Sequence, residues 1–129
     1  MRPWLWLSSQ LAHDLSPYVL PSLSRISPCR NNQWQSFEWK GLYFPNPLGI
    51  AGGVDKTGAS LASWERLGAG FLEVGTVTPE PQGPNPGKIM DRDISRLALW
   101  NKMGFPNQGL KTLIKNLKAY QNRKVPLFI

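Results

Sequence analysis

The sequence predicts an α/β fold built on a parallel sheet, and three observations predict it. Short apolar runs at residues 48–51, 71–77 and 125–129 read as strands, each too short for a helix. Segments of helical periodicity separate them: Leu61, Trp64 and Leu67 mark one apolar face, and Leu110, Leu113, Ile114, Leu117 and Tyr120 mark another. Strands that alternate with helices in this way pair in parallel through crossover connections. An open sheet and a closed (β/α)8 barrel both satisfy the pattern.

The elements follow in chain order. Trp4, Leu7, Leu11 and Leu15 recur at helical spacing, and Pro3 suits the first turn of a helix. Ser16-Pro17 reads as a break, after which Leu20, Leu23 and Ile26 form a second apolar stripe that Pro21 interrupts awkwardly. This helical pair either packs on its own domain or faces a membrane, since Trp4 and Trp6 favour the boundary between lipid and water. A polar stretch at 31–36 separates it from the rest, so residues 1–35 and 36–129 are expected to be two segments. Residues 37–44 read as a hairpin turning at Lys40-Gly41, and Pro45-Asn46-Pro47 forces an extended entry into the first parallel strand. Gly68 ends the helix that carries Trp64. Residues 78–88 form a loop rich in proline and glycine, and 94–100 read as a short helical or irregular piece. The clearest helix spans 107–121, with Lys111, Lys115 and Lys118 on a solvated face. An apolar strand with nothing after it is a rare way to finish a domain, so the functional unit is expected to continue past Ile129.

Composition narrows the function classes. Apolar residues make up 41% and charged residues 18%, enough for a packed core. Fifteen Lys and Arg against eight Asp and Glu give +7, which favours phosphate ligands, acidic substrates or an anionic membrane surface. The positive charges never run four together, which argues against a nucleic-acid-binding arm. Cys29 is the only cysteine and His13 the only histidine, so an internal disulfide, a cysteine-built metal site and paired-histidine zinc chemistry are excluded. No metal is expected. Cys29, in Ser27-Pro28-Cys29-Arg30, reads as an incidental loop cysteine. With no apolar run of eighteen residues and no cleavable leader pattern, a cytoplasmic chain able to rest on a membrane is expected.

Three segments carry possible chemistry, and each lies just past a strand or in the connection that follows, where parallel α/β folds place their sites. The first is Ala51-Gly52-Gly53-Val54-Asp55-Lys56-Thr57-Gly58. Its glycines let backbone approach a flat or anionic ligand. The spacing is neither a Walker loop nor a dinucleotide fingerprint, and a plain strand-to-helix turn with a surface lysine explains it equally well. The second is Glu73-Val74-Gly75-Thr76-Val77-Thr78-Pro79. Thr76 offers a hydroxyl beside a glycine, and Glu73 needs a partner within its strand, a structural ion pair being the simplest. The third is Asn101-Lys102-Met103-Gly104-Phe105-Pro106-Asn107, where Asn101 can donate and accept at once. Each alone reads as ordinary loop chemistry.

In this order and spacing the three segments, with Asn46-Pro47-Leu48-Gly49-Ile50 before the first, resemble the dihydroorotate dehydrogenases. The likeness is closest to the membrane-associated, quinone-using class 2 and covers residues from about Trp39 to Ile129. It implies a (β/α)8 TIM barrel holding FMN at the C-terminal ends of its strands, preceded by the short N-terminal helical segment, with residues 36–129 supplying the barrel as far as its third strand. It implies that Ala51, Gly52, Gly53, Val54 and Asp55 lie against the flavin, with Thr76 as a further contact. Lys56 would stand near flavin and substrate, and Asn101, Lys102, Met103, Gly104 and Phe105 would form the substrate-binding loop. The implied reaction passes a hydride from dihydroorotate to the flavin, giving orotate, and quinone then reoxidises the flavin through a tunnel formed with the N-terminal helices. The implied location is peripheral to a membrane on its cytoplasmic side, with no nucleic-acid partner.

Some residues depart from the family pattern. Gly52 stands where alanine is commoner, Glu80 replaces a basic residue between two prolines, and residues 84–94 diverge. The class 2 base is a serine on a later loop, so no catalytic base is expected in this chain, and the 129 residues alone are expected to be inactive. Cys29 lies outside the position of the soluble class's base. The rival expectations are another FMN-dependent barrel oxidoreductase, against which residues 101–105 argue, and a non-catalytic basic module that binds membranes or nucleic acid.

Overall fold

The computed structural model describes residues 6–26, 28, 29 and 32–129. Pro3 and Trp4, the predicted start of the first helix, lie outside the described residues, as do Ser27 and Arg30. The described chain opens on a single helix, α1 (Ser9–Ile26), followed by a hairpin of β1 (Phe37–Trp39) and β2 (Leu42–Phe44). Strand β3 (Gly49–Ile50), helix α2 (Leu61–Arg66) and strand β4 (Phe71–Glu73) come next. A second hairpin, β5 (Met90–Asp93) and β6 (Ala98–Asn101), precedes helix α3 (Gly109–Ala119) and strand β7 (Leu127–Phe128).

Strands β3, β4 and β7 form one parallel sheet with β4 in the centre. The register pairs Gly49 with Phe71 and Ile50 with Leu72, then Leu72 with Leu127 and Glu73 with Phe128. The fold is therefore α/β, its parallel neighbours joined through α2 and α3. The two sheet faces are covered differently because side chains alternate along a strand. Leu72 and Val74 on one face meet Leu61 of α2, Leu113 of α3, Ala69 and Val125, all buried, with Trp64, Leu117 and Tyr120 packed around them. On the other face Phe71 and Phe128 meet edge to face, with centroids 6.2 Å apart, and Phe44 of the first hairpin closes over both. Gly49 makes that aromatic cluster possible, since a Cβ there would lie 2.1 Å from the Phe71 ring. The pairing of Phe37 with Phe44 follows from the predicted turn, where Lys40 and Gly41 both adopt left-handed backbone.

Two local expectations need correction. The break at Ser16-Pro17 does not occur, and α1 runs straight through Pro17 and Pro21. Pro17 has no N–H for the carbonyl of His13, four residues earlier, but the Ser16 hydroxyl donates to that same carbonyl at 2.8 Å. The helix starts where the Ser8 hydroxyl accepts the Leu11 N–H. The second correction concerns residues 94–100, which form the turn and returning strand of the β5–β6 hairpin rather than a helical piece. Ile94 and Leu97 imitate helical spacing, but both are exposed at the turn. The turn is set by Asp93, whose carboxylate accepts the Ser95 N–H, the Ser95 hydroxyl and the Arg96 N–H.

Candidate functional site

An open cavity of about 970 Å³ lies past the C-terminal ends of all three parallel strands. Ala51 to Val54 enter it directly after β3, Val74 to Val77 after β4, and Ile129 after β7. The turn after β6 closes the remaining side. Every site residue expected from the sequence lines this cavity except Asp55: Ala51, Gly52, Gly53, Val54, Lys56, Thr76, Asn101, Lys102, Met103, Gly104 and Phe105 meet there.

The wall from β3 and β4 is mostly bare backbone. The Gly53 N–H donates to the Gly75 carbonyl at 2.6 Å, which locks the two strand-end loops together. Gly53 has φ +89 with open space where a side chain would stand, and Gly75 has φ +115. A side chain at Gly53 would be both strained and in the way of anything lying on this wall. Among the described residues Glu73 has no ion-pair partner, in place of the expected structural ion pair. Its carboxylate accepts the Gly52 N–H at 3.1 Å, at the rim of the same cavity.

The opposite wall, residues 101–105, is held from behind. Asn85 donates its backbone N–H to the Met103 carbonyl at 3.0 Å and its side-chain amide to the Lys102 carbonyl at 2.8 Å. Gln82 donates to the Gly104 carbonyl at 2.7 Å. Asn107 fastens the base of the loop by donating its side-chain amide to the Phe105 carbonyl at 2.9 Å, while its side-chain oxygen accepts the Thr78 and Gly109 N–H groups. Sequence reasoning missed Asn85, which also lines the cavity, because residues 84–94 read as a divergent connecting loop. The available signal was an amide between Pro84 and Pro86, a position whose backbone direction is restricted on both sides.

Lys56 projects into the cavity half-buried, with its ammonium 3.7 Å from the Met103 sulfur. Among the described residues it has no ion-pair partner. Burial lowers its pKa from the ordinary lysine value. Asp55, its neighbour, turns the other way. The Asp55 carboxylate is buried and accepts the Ser60 N–H at 2.8 Å and the Ala59 N–H at 3.0 Å. Burial pushes its pKa up, opposed by these backbone hydrogen bonds.

A second cavity, of about 460 Å³, lies between α1 and the loop that carries Lys56. Gln10, His13, Pro17 and Leu20 line its helix side, and Trp64 and Pro106 lie across from them. Gly53, Val54, Lys56 and Met103 border both cavities, so the two stand back to back with the Lys56–Met103 contact between them.

An arrangement of glycine backbone, a hydroxyl, an amide and a half-buried ammonium suits a flat ring system with polar edges beside an anionic ligand. Comparison with known proteins identifies the family. Residues 36–129 match the family described as Dihydroorotate dehydrogenase. Curated relatives include the Dihydroorotate dehydrogenase (quinone) of Aromatoleum aromaticum, 40% identical over 126 residues, which covers 96% of this chain and 36% of that protein. The protein of the same name from Synechococcus is 45% identical over 112 residues, 86% of this chain and 29% of that one. Crystal structures of DHODH from Eimeria tenella superpose with a TM-score of 0.81. The complex with ferulenol is 30% identical, covering 92% of this chain and 34% of its own, and the ligand-free form is 28% identical. The chain spans about a third of the length of the curated relatives it matches.

Proposed function

The chain belongs to the dihydroorotate dehydrogenase family, and on that premise we propose that the protein oxidises dihydroorotate to orotate with FMN as cofactor and a quinone as electron acceptor. The observation that carries this reading is Lys56. An ammonium held half-buried without an ion-pair partner, on a cavity faced with glycine backbone, is a site waiting for negative charge.

FMN, when bound, would supply the redox chemistry that links oxidation of the substrate to reduction of the quinone. The residues present fit it. Ala51 to Val54, with Gly53 open to space, and the Gly75–Thr76 segment would hold the ring, and the Thr76 hydroxyl would reach a polar edge. Lys56 would balance charge on the ring or on the substrate carboxylate. Asn101, at the end of β6, would pair with substrate through its amide, and residues 102–105 would wall the substrate in. We assign no base to any of these residues. The sheet of β3, β4 and β7 would be the first three strands of a (β/α)8 barrel, with its site at the C-terminal ends.

The cavity under α1 would admit the quinone, which makes residues 1–35 the membrane-facing segment and residues 36–129 the barrel segment. No helix among the described residues is long and apolar enough to cross a membrane. Helix α1 instead exposes Leu11, Leu15, Tyr18, Val19 and Ile26, a surface suited to lying against lipid. The protein would then sit at the periphery of a membrane, on its cytoplasmic side.

The test is direct. The protein as its gene encodes it should purify with a flavin absorbance, which dihydroorotate should bleach in the absence of oxygen and a quinone should restore. A protein without flavin, or one whose flavin dihydroorotate leaves unbleached, would refute the proposal.

A further inference from the structure

The loop between β3 and α2 sends two adjacent charges in opposite directions, and that division assigns a role to the buried one. We propose that Asp55 is a positioning residue for Lys56, fixing the loop that holds the ammonium at the cavity, rather than a cofactor contact. This rests on the function proposed above.

The loop is pinned at three points. The Asp55 carboxylate takes the Ser60 and Ala59 N–H groups at 2.8 and 3.0 Å, and the Asp55 carbonyl takes the Gly58 N–H, so one residue closes the whole turn. The Thr57 carbonyl accepts the Asn116 amide of α3 at 2.9 Å. Gly58 is buried directly against Leu61 and Leu113 of the core. Between those points only Lys56 extends into the cavity, where it borders both the larger space and the one under α1.

The anchoring also explains why two neighbouring opposite charges do not neutralise each other. A carboxylate left free in this turn could fold toward the ammonium and cancel its attraction for an anionic ligand. Two backbone N–H groups occupy both Asp55 oxygens instead, and the carboxylate stays in the protein interior. Lys56 is thereby kept unpaired.

A double-mutant cycle on the protein as its gene encodes it separates positioning from mere stability. Asp55→Ala should lower kcat for dihydroorotate about tenfold to a hundredfold, the range expected when hydrogen bonds to a charged group are lost. Its flavin content should match the parent's, because Asp55 borders only the cavity under α1 and stays off the wall of the larger one. In a Lys56→Ala background the same substitution should lower kcat by no more than about twofold. Asp55→Asn keeps one acceptor oxygen and should fall between Asp55 and Ala, so it carries the cycle if the alanine variant does not fold. Losses that multiply in the double variant would overturn the positioning role and leave Asp55 a purely structural residue, with the proposed function intact. Flavin lost from Asp55→Asn but kept by Lys56→Ala would also overturn it, by placing Asp55 at the cofactor. A Lys56→Ala variant as active as the parent would remove Lys56 from the reaction, defeating both this inference and the reading it rests on.

Discussion

At the scale of single residues the site depends on where charge is allowed to rest. Burial favours the neutral amine of Lys56, so its pKa lies below that of an ordinary lysine. The sign of the linkage follows. A lysine whose folded pKa is lowered gives up stability while it stays charged, and it loses its proton at a lower pH than the unfolded chain would. A bound anion reverses that cost by favouring the charged form. Substrate turnover should therefore fall along an alkaline limb that lies below the pH at which free lysine titrates. Lys56→Arg should move the limb upward and Lys56→Ala should abolish it, read from kcat/KM for dihydroorotate against pH. The same limb at the same pH in Lys56→Ala would show that another group titrates. The sequence marked Lys56 and the glycines as candidates because their types and order are local facts. It could not show that Asp55 faces inward or that Glu73 caps the Gly52 amide. Those directions depend on groups four to twenty-one residues away.

At the scale of elements, apolar periodicity identified the helices better than it gauged their burial. The predicted α3 stripe holds at its centre, where Leu113 is 1% exposed, but Leu110 is 43% exposed on the same helix. The physical difference is the number of neighbours. Leu113 meets the core of Leu61 and Leu72, whereas Leu110 sits in the first turn beyond it. Leu113→Ala should cost about 2–5 kcal/mol in denaturant unfolding, the range for a large core side chain replaced by alanine. Leu110→Ala should cost less than about 1 kcal/mol. Equal losses would mean that the stripe buries evenly. Helix α1 illustrates the opposite error, a break predicted at Ser16-Pro17 that the Ser16 hydroxyl makes tolerable.

At the scale of the whole molecule, the parallel sheet is three strands wide, and β3 and β7 each have one edge without a strand neighbour among the described residues. Parallel strands are covered on both faces in finished sheets, and open edges invite association. A polypeptide of these 129 residues alone should therefore self-associate, retain no FMN and leave dihydroorotate unoxidised. Joined to the remaining two thirds of the Aromatoleum aromaticum relative, it should become monodisperse and take up flavin. A monomeric, flavin-loaded 129-residue polypeptide would show that these strands need no further partners to form the site.

The sequence by itself determined the alternation of strand and helix, the hairpin at Lys40-Gly41 and the three loops that bear chemistry. Each is a local matter of period, of glycine and proline, and of which side chains stand within a few positions of one another. The tertiary structure alone decided that those loops share one cavity. It also decided that Lys56 and Met103 divide that cavity from a second one, and that Asn85 and Asn107 hold the loop of residues 101–105 from behind. These arrangements depend on parallel pairing of residues 22 and 55 positions apart, which brings the ends of β3, β4 and β7 together. No local pattern in the chain encodes that distance.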